Sequence, residues 1–525
     1  LRLLEREVAN RAQAVIDEIV DVAKRRELGG KVLCALETTE GHPIALRLRA
    51  LEEYMAAEKS IPVETRHSVA RIIERTRMTL QDVAGLWAEI LTDRALVRAA
   101  FAEHAPEHFT ERELEWALAH CNRRCSAALA HREPDRVPIN LNVGVWPAVH
   151  AGITPYDAMH DAEAAGKAWI DFNLEFQPDS LVSPLFTTTP ASILEHVEYR
   201  LYSWPGHGVP PDANFQYNEK EWMLPEEYDH LISDPSDYML RVYLPRTVGA
   251  FAGFAQLSSL FDFTELPFIP GQVGAWGSSE MTAGFEGLAA ASRAVGVWTR
   301  TMLGLLNELR CAGQPSYAGG GTKAPFDILG DTLRGTKGVV VDMYRCPEKV
   351  VAACERLVPI AINWVLKAAR PPSTPLIFMP LHKGADGFMS NAQFETFYWP
   401  TLKAVILGLI EQGFIPYLFA EGRYDSRLEI IMDLPGARTA WLFDQTDMAL
   451  AKQTIGRVAC IQGNIPLSMI YAGTERETAE YTRALIDSAG EGGGFILDIG
   501  AVADGGREEN LRAMIDTVKR YGVYH

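Results

Sequence analysis

LIFMPLHKGADGFMS (376–390) decides the fold, together with IPYLFAEGRYDSR (415–427), TAWLFDQTD (439–447) and ACIQGNIP (459–466). Each is a short apolar run that stops at a polar cluster, and helical sequence separates most of them. Runs of this length and bulk read as parallel strands buried on both faces. A fifth, GGGFILDIGAVADGG (492–506), closes the series. Strand-then-helix units with polar residues at the carboxyl end of each strand are the plan of a (β/α)8 TIM-type barrel, an α/β fold. The polar residues so placed are His382, Lys383, Asp386, Glu421, Arg423, Asp444, Gln462, Asn464 and Asp498. A doubly wound sheet is the rival plan, but the late glycine-rich strand carries no dinucleotide fingerprint.

Working outward, residues 131–525 are expected to form the barrel and residues 1–130 a helical N-terminal region. The opening segment, LRLLEREVANRAQAVIDEIVDVAKRREL, repeats apolar residues at three- and four-residue spacing. Its apolar stripe must be buried against the barrel or against a second subunit in a homodimer. REPDRVPINLNV (132–143) turns into a β-rich run, the expected first strand. TPYDAMHDAEAAGKAW then reads as a helix and IDFNLEFQPDSLVSP (170–184) as a strand. The aromatic, Pro- and Gly-broken stretch 196–232 is long for a connection, which suits either a pocket lid or a loop packed on the barrel. SYAGGGTK (316–323) lacks a full phosphate-loop pattern and reads as a flexible loop.

The apolar share (47%) and charged share (22%) are those of an ordinary globular protein. A net charge of −18 argues against general affinity for nucleic acid. No apolar run is long enough to span a bilayer, so a cytoplasmic protein without membrane partners is expected. Seven scattered cysteines read as reduced thiols, and Cys121 with Cys125 as residues of one helix and not as a metal pair.

His382 and Glu421 form the sharpest pair. Histidine suits proton transfer or metal ligation near neutrality, and a carboxylate adds a base or a hard oxygen ligand, so the two can share a zinc ion with Asp444 or water. The competing reading pairs Glu421 with Lys383 or Arg423 and gives His382 to a loop carbonyl. Arg423 and Lys383 can hold a carboxylate or phenolate. Gln462 and Asn464 suit neutral recognition of a ring nitrogen, carbonyl or ether oxygen, with Asn464 equally readable as a turn residue before Pro466; Phe443 can line an apolar pocket, and Asp447 is the expected cap of the helix after Asp444.

REPDRVP (132–138), FMSNAQFETFYWPTLKAVILGLIEQGFIPYLFAEG (388–422), IQGNIPLSMIYAGTERETAEYTRALID (461–487) and GGGFILDIGAVADGGREENLRAMIDTVKRYG (492–522) together resemble the uroporphyrinogen decarboxylase superfamily, which includes cobalamin-dependent methyltransferases. The resemblance spans roughly residues 130–522, with most of its specificity in the last part. It implies methyl transfer from a small substrate, such as a methoxylated aromatic, to the cobalt of a corrinoid carried by a partner protein. Cofactor-free decarboxylation and a non-catalytic barrel that binds a tetrapyrrole or a partner are the alternatives. The zinc-thiol branch carries His-x-Cys-Gly where this chain reads Phe419, Ala420, Glu421 and Gly422, and its later cysteine falls at Gly500–Ala501. The decarboxylase branch's arginine-rich segment is not evident after Arg136, and its late histidine has no counterpart in DIGAVAD. If zinc is bound, the resemblance therefore implies an oxygen-containing site built on His382 and Glu421.

Overall fold

The computed structural model describes residues 123–311, 319–368 and 376–524. Two compact units divide the chain, and Thr110–Leu303 with Ser316–His525 make the one that carries the sheet and the site. The expected helical region before residue 123, Cys121 included, lies outside the described residues.

A six-stranded parallel sheet organises this unit. Its strands, in chain and spatial order, are β1 (Gly320–Gly321), β2 (Leu376–Leu381), β3 (Ile415–Ala420), β4 (Ala440–Phe443), β5 (Cys460–Gln462) and β6 (Phe495–Ile496). The backbone continues the pattern past β6. Asn140 N–H donates to Leu497 O (2.9 Å), Leu497 N–H to Pro138 O (2.9 Å), and Asp179 N–H to Ile139 O (2.7 Å). The run 137–141 thus lies parallel to the 495–499 segment, as its β-rich sequence leads one to expect. Every residue of β3 and β4 is buried, as strands covered on both faces require.

Alternate residues share a face of a strand. Leu376, Tyr417, Phe419, Leu442, Cys460 and Ile496 meet in one core cluster, closed at the strands' amino ends by Cys125, Ala128 and Leu129 of the helix Arg123–Leu129. Two residues further along the same faces stand Glu421, Asp444, Gln462 and Asp498, and His382 lies four beyond Phe378. The core face of the sheet therefore becomes polar as it reaches the strand ends. Leu418, Trp441 and Phe443 occupy the opposite face.

Two sequence expectations are corrected. IDFNLEFQ belongs to the helix Ala162–Phe176, although its apolar residues alternate. Asp161 accepts from Glu163 N–H and Ala164 N–H at the helix start, which satisfies two of its orphan donors. The glycine run read as a flexible loop contains β1, paired with Ile377 and Phe378 of β2. Glycine has low strand propensity, so composition hides this strand, but a Cβ on Gly321 would lie only 3.3 Å from Phe378 O. Among the described residues, no helix is long and apolar enough to cross a membrane.

Candidate active site

The site begins where β1 and β2 end. Past β1, Lys323 leads into the helical turn Pro325–Asp327 and a π-helical turn, Ile328–Leu333, that carries Asp331. Past β2, Gly384 lets the chain turn against two tyrosines, since any Cβ there would strike the Tyr424 hydroxyl and the Tyr398 ring. The turn leaves the backbone N–H groups of His382 and Lys383 donating to Asp327, at 3.3 Å and 3.0 Å. Tyr398, on a second π-helical turn, donates its hydroxyl to the same carboxyl at 2.6 Å. Burial, followed by the nearby Asp331 charge, pushes the Asp327 carboxyl up to about 6.

Asp331 is the hub. Its carboxylate meets His382 Nδ1 at 2.5 Å, Lys323 Nζ at 2.7 Å and Lys383 Nζ at 2.9 Å. Burial opposes its charge, but these partners, His382 first, hold its pKa well below the usual carboxylate range. The other ring nitrogen of His382 faces Glu421 Oε1 at 3.4 Å. Burial acts against the charged imidazole, yet the bonds to Asp331 and Glu421 outweigh it and raise its pKa to about 10. His382 is therefore an imidazolium at neutral pH, clasped between two carboxylates. Its side chain is 33% exposed and that of Glu421 41%, so a ligand can reach both.

His382, Lys383, Glu421, Arg423, Asp444 and Asn464 follow the carboxyl ends of parallel strands and so stand at one end of the sheet, but in distinct environments, whereas Phe443 and Gln462 are the last residues of their strands. His382, Lys383 and Glu421 cluster on Asp331. Lys383 is committed internally, since Thr336 Oγ1 also accepts from its ammonium at 2.9 Å. Arg423, Asp444 and Asn464 line a cavity of about 850 Å³, together with Tyr481 and Ala501, and His382 and Glu421 are not in its wall. Gly422 joins the two regions through its N–H, which donates to Asp444 Oδ2 at 3.0 Å. Asn464 donates to Thr446 O at 2.7 Å, and Asp447 caps the helix Met448–Thr454 as expected.

Gln462 is fully buried beneath this level, bonded to the Tyr417 hydroxyl (2.9 Å) and to Asp498 (2.6 Å), and is not a surface for substrate. Asp498 also accepts from Asn142 N–H (2.6 Å) and Ile499 N–H (2.7 Å). With only neutral partners, burial pushes its carboxyl up to about 7. Phe443 is corrected as well. It is fully buried and lies 6.1 Å from Trp441 in a stacked pair on the face turned away from the core cluster.

Sequence reasoning missed Lys323, Asp327, Asp331 and Tyr398. The first three follow the glycine strand, whose composition has the look of a loop. Recognising β1 as a strand would have placed them at a strand end beside His382.

Among the described residues, no group of three or more His, Cys, Asp and Glu side chains is set to hold a metal ion. His382 and Glu421 supply two donors, and the Nδ1 of His382 is taken by Asp331. These residues do not fit a zinc centre with three protein ligands.

Residues 308–521 match the uroporphyrinogen decarboxylase (URO-D) family. A uroporphyrinogen decarboxylase of Cellvibrio japonicus (strain Ueda107) is 25% identical over 179 residues, covering 34% of this chain and 50% of the relative. The chain thus spans about half the length of the curated relative it matches. Among solved structures, a methyltransferase from Methanosarcina mazei aligns over 76% of this chain and 98% of its own, with 14% identity and a TM-score of 0.47.

Proposed function

We propose, from the premise that residues 308–521 place this chain in the uroporphyrinogen decarboxylase superfamily, that it is an enzyme whose proton donor is His382. The reaction we favour is demethylation of a small methyl ether, with the methyl group passing to the cobalt of a corrinoid brought by a partner protein. In this reading the strands from the run 137–141 through β6 close as a (β/α)8 barrel, and the partner docks over its mouth. The protein is a cytoplasmic one.

A methyl ether does not release an alkoxide unaided, so its oxygen must be protonated as the carbon–oxygen bond breaks. The single observation that carries the proposal is the His382 ring held between the Asp331 and Glu421 carboxylates. Its pKa of about 10 matches that of a phenol, about 10, so proton transfer to a departing aryl oxygen is close to balanced. His382 would give up its Nε2 proton as the ether oxygen becomes a phenol hydroxyl, and a corrinoid held by the partner would supply the nucleophilic acceptor for the departing methyl group, so that atoms and charge balance. Asp331 fixes the ring from Nδ1, as the carboxylate partner of a catalytic histidine does. Glu421, nearer solvent, returns the proton. Arg423, Asp444 and Asn464 line the adjoining cavity, where the part of the ligand remote from the reacting bond is held. No step passes through zinc, because the donor set does not fit it.

Decarboxylation is the second reading, favoured by the identity with the Cellvibrio decarboxylase. The same imidazolium would protonate a carbanion in place of an alkoxide. Glu421→Gln tests the first reading, since it removes the charge with little change of size. Methyl transfer from an aryl methyl ether to added cob(I)alamin, followed by absorbance, is expected to fall about a hundredfold or more. Unchanged turnover would leave Glu421 as a structural partner only. Release of carbon dioxide from carboxylated substrates, without methyl transfer, would favour the lyase.

A further inference from the structure

The cavity of about 850 Å³ that adjoins the site has a chemistry of its own. Gly500 brings two of its polar residues together, since a Cβ there would lie 3.3 Å from both the Asp444 Cα and the Asn464 Cβ. Three carboxylates stand in the wall, those of Asp425, Asp444 and Asp447, against one guanidinium, that of Arg423. Two of the three are committed. Asp425 faces Arg423 at 3.7 Å and accepts Asp447 N–H at 2.8 Å, and Asp447 caps its helix by accepting Leu450 N–H at 3.0 Å.

Asp444 is not. Its partners among the described residues are neutral, Gly422 N–H (3.0 Å) and the Gln445 amide (3.2 Å), and both bond the same oxygen, Oδ2. Burial raises the pKa of this carboxyl despite the two bonds, and the Glu421 charge adds to the rise. Burying a charge is costly unless it is paired. Asn464 supplies a second, independent observation. It is only 4% exposed, and its Nδ2 donates to Thr446 O at 2.7 Å. A carbonyl oxygen cannot donate, so this bond fixes the amide with Oδ1 as its other end. That Oδ1 accepts no hydrogen bond among the described residues, and it is not sealed off from the cavity. A nearly buried acceptor is thus open to a donor from outside the chain.

We propose that this cavity binds an organic ammonium, its N–H groups shared between the Asp444 carboxylate and Asn464 Oδ1 and its hydrocarbon part lying on Met448, Leu485 and the Tyr481 ring. The proposal rests on the reading that the cavity holds the remote end of the ligand, and it names the chemistry of that end. An ammonium has three donors and no acceptor, so it serves both oxygens at once. Its bond to the carboxylate is charge-assisted. A ligand carboxylate would meet three wall carboxylates, and a neutral hydroxyl would leave Asp444 without a countercharge.

Equilibrium binding to the whole protein, in amine-free phosphate buffer at pH 8, tests this without turnover. The probes are phenethylammonium and neutral phenethyl alcohol, which share a carbon skeleton and differ in charge. The wild type is expected to bind the ammonium about tenfold more tightly or better. Asp444→Asn keeps the size and an acceptor for Gly422 N–H, so it should fold normally, weaken ammonium binding about tenfold and leave the alcohol within about twofold of wild type. Ala484→Trp, at an exposed helix position in the cavity wall, should block both probes. Equal wild-type affinity for the two probes, no binding of either, an Asp444→Asn variant that binds the ammonium as wild type does, or an Ala484→Trp variant that does so would each overturn the subsite. Ammonium binding as expected, with no methyl transfer from a methyl ether that carries an ammonium group, would instead overturn the reaction and leave the subsite standing.

Discussion

Replacing Asp331 by Asn removes the charge that keeps His382 protonated while leaving the side chain's size unchanged. In the native site the imidazole holds its proton to about pH 10. Without Asp331, burial still disfavours the charged ring and only Glu421, at 3.4 Å, supports it, so its pKa is expected at or below the ordinary value of about 6.5. At pH 8 the protonated fraction then drops from about 99% to about 3%, roughly a thirtyfold loss of the acid form. Titration of the histidine rings by NMR, with His382 assigned by comparison with a His382→Gln variant, measures this directly. The pH dependence of turnover should show the same movement in its alkaline limb, by about three and a half units or more. A His382 resonance that still titrates near 10 in Asp331→Asn would refute the reasoning. The change also strips the buried Lys383 ammonium of its carboxylate, which costs about 3–5 kcal/mol in a buried pair and is read from urea denaturation.

Two further outcomes are expected. Phe443→Ala should lower stability by about 3–5 kcal/mol in urea titrations while leaving ligand affinity intact, because the ring is packed away from the core face. Normal stability with lost binding would return Phe443 to the site. Asp498 binds its proton more tightly when folded (about 7) than when unfolded (about 3.8), so it subtracts stability as pH rises between those values, with the full penalty above 7. Asn can accept the same two backbone N–H groups and donate to Gln462 after an amide flip. Asp498→Asn should therefore melt higher than wild type at pH 9 and about equally at pH 4; a lower melting temperature at both pH values would contradict this.

What the sequence discloses here is the part of the fold written in bulky residues. LIFMPL, IPYLFA and AWLF declare themselves as buried strands, and the polar residue after each marks the end that carries chemistry. β1 does not, because two glycines leave no side-chain signature and pair with β2 through the backbone alone. The alternating ID-FN-LE pattern misleads for the opposite reason: a capped helix start at Asp161 overrides a two-residue period. His382 and Glu421 were legible as a pair, but their governing partner was not. Asp331 lies 51 positions before His382, and nothing local distinguishes it from a surface aspartate.

The pairing of the run 137–141 with Leu497 bears on how the chain is made. Asn142 waits for Asp498, 356 positions later, and Val145 for Asp504, 359 positions later. During synthesis the first of these segments emerges with its backbone N–H and C=O groups exposed and no partner yet in existence. Contacts so distant in sequence are the last that a chain can form and the slowest. The nascent protein therefore passes most of its synthesis with one sheet edge open, which makes that edge the segment for a chaperone to hold and the first site of aggregation if translation stalls before residue 497.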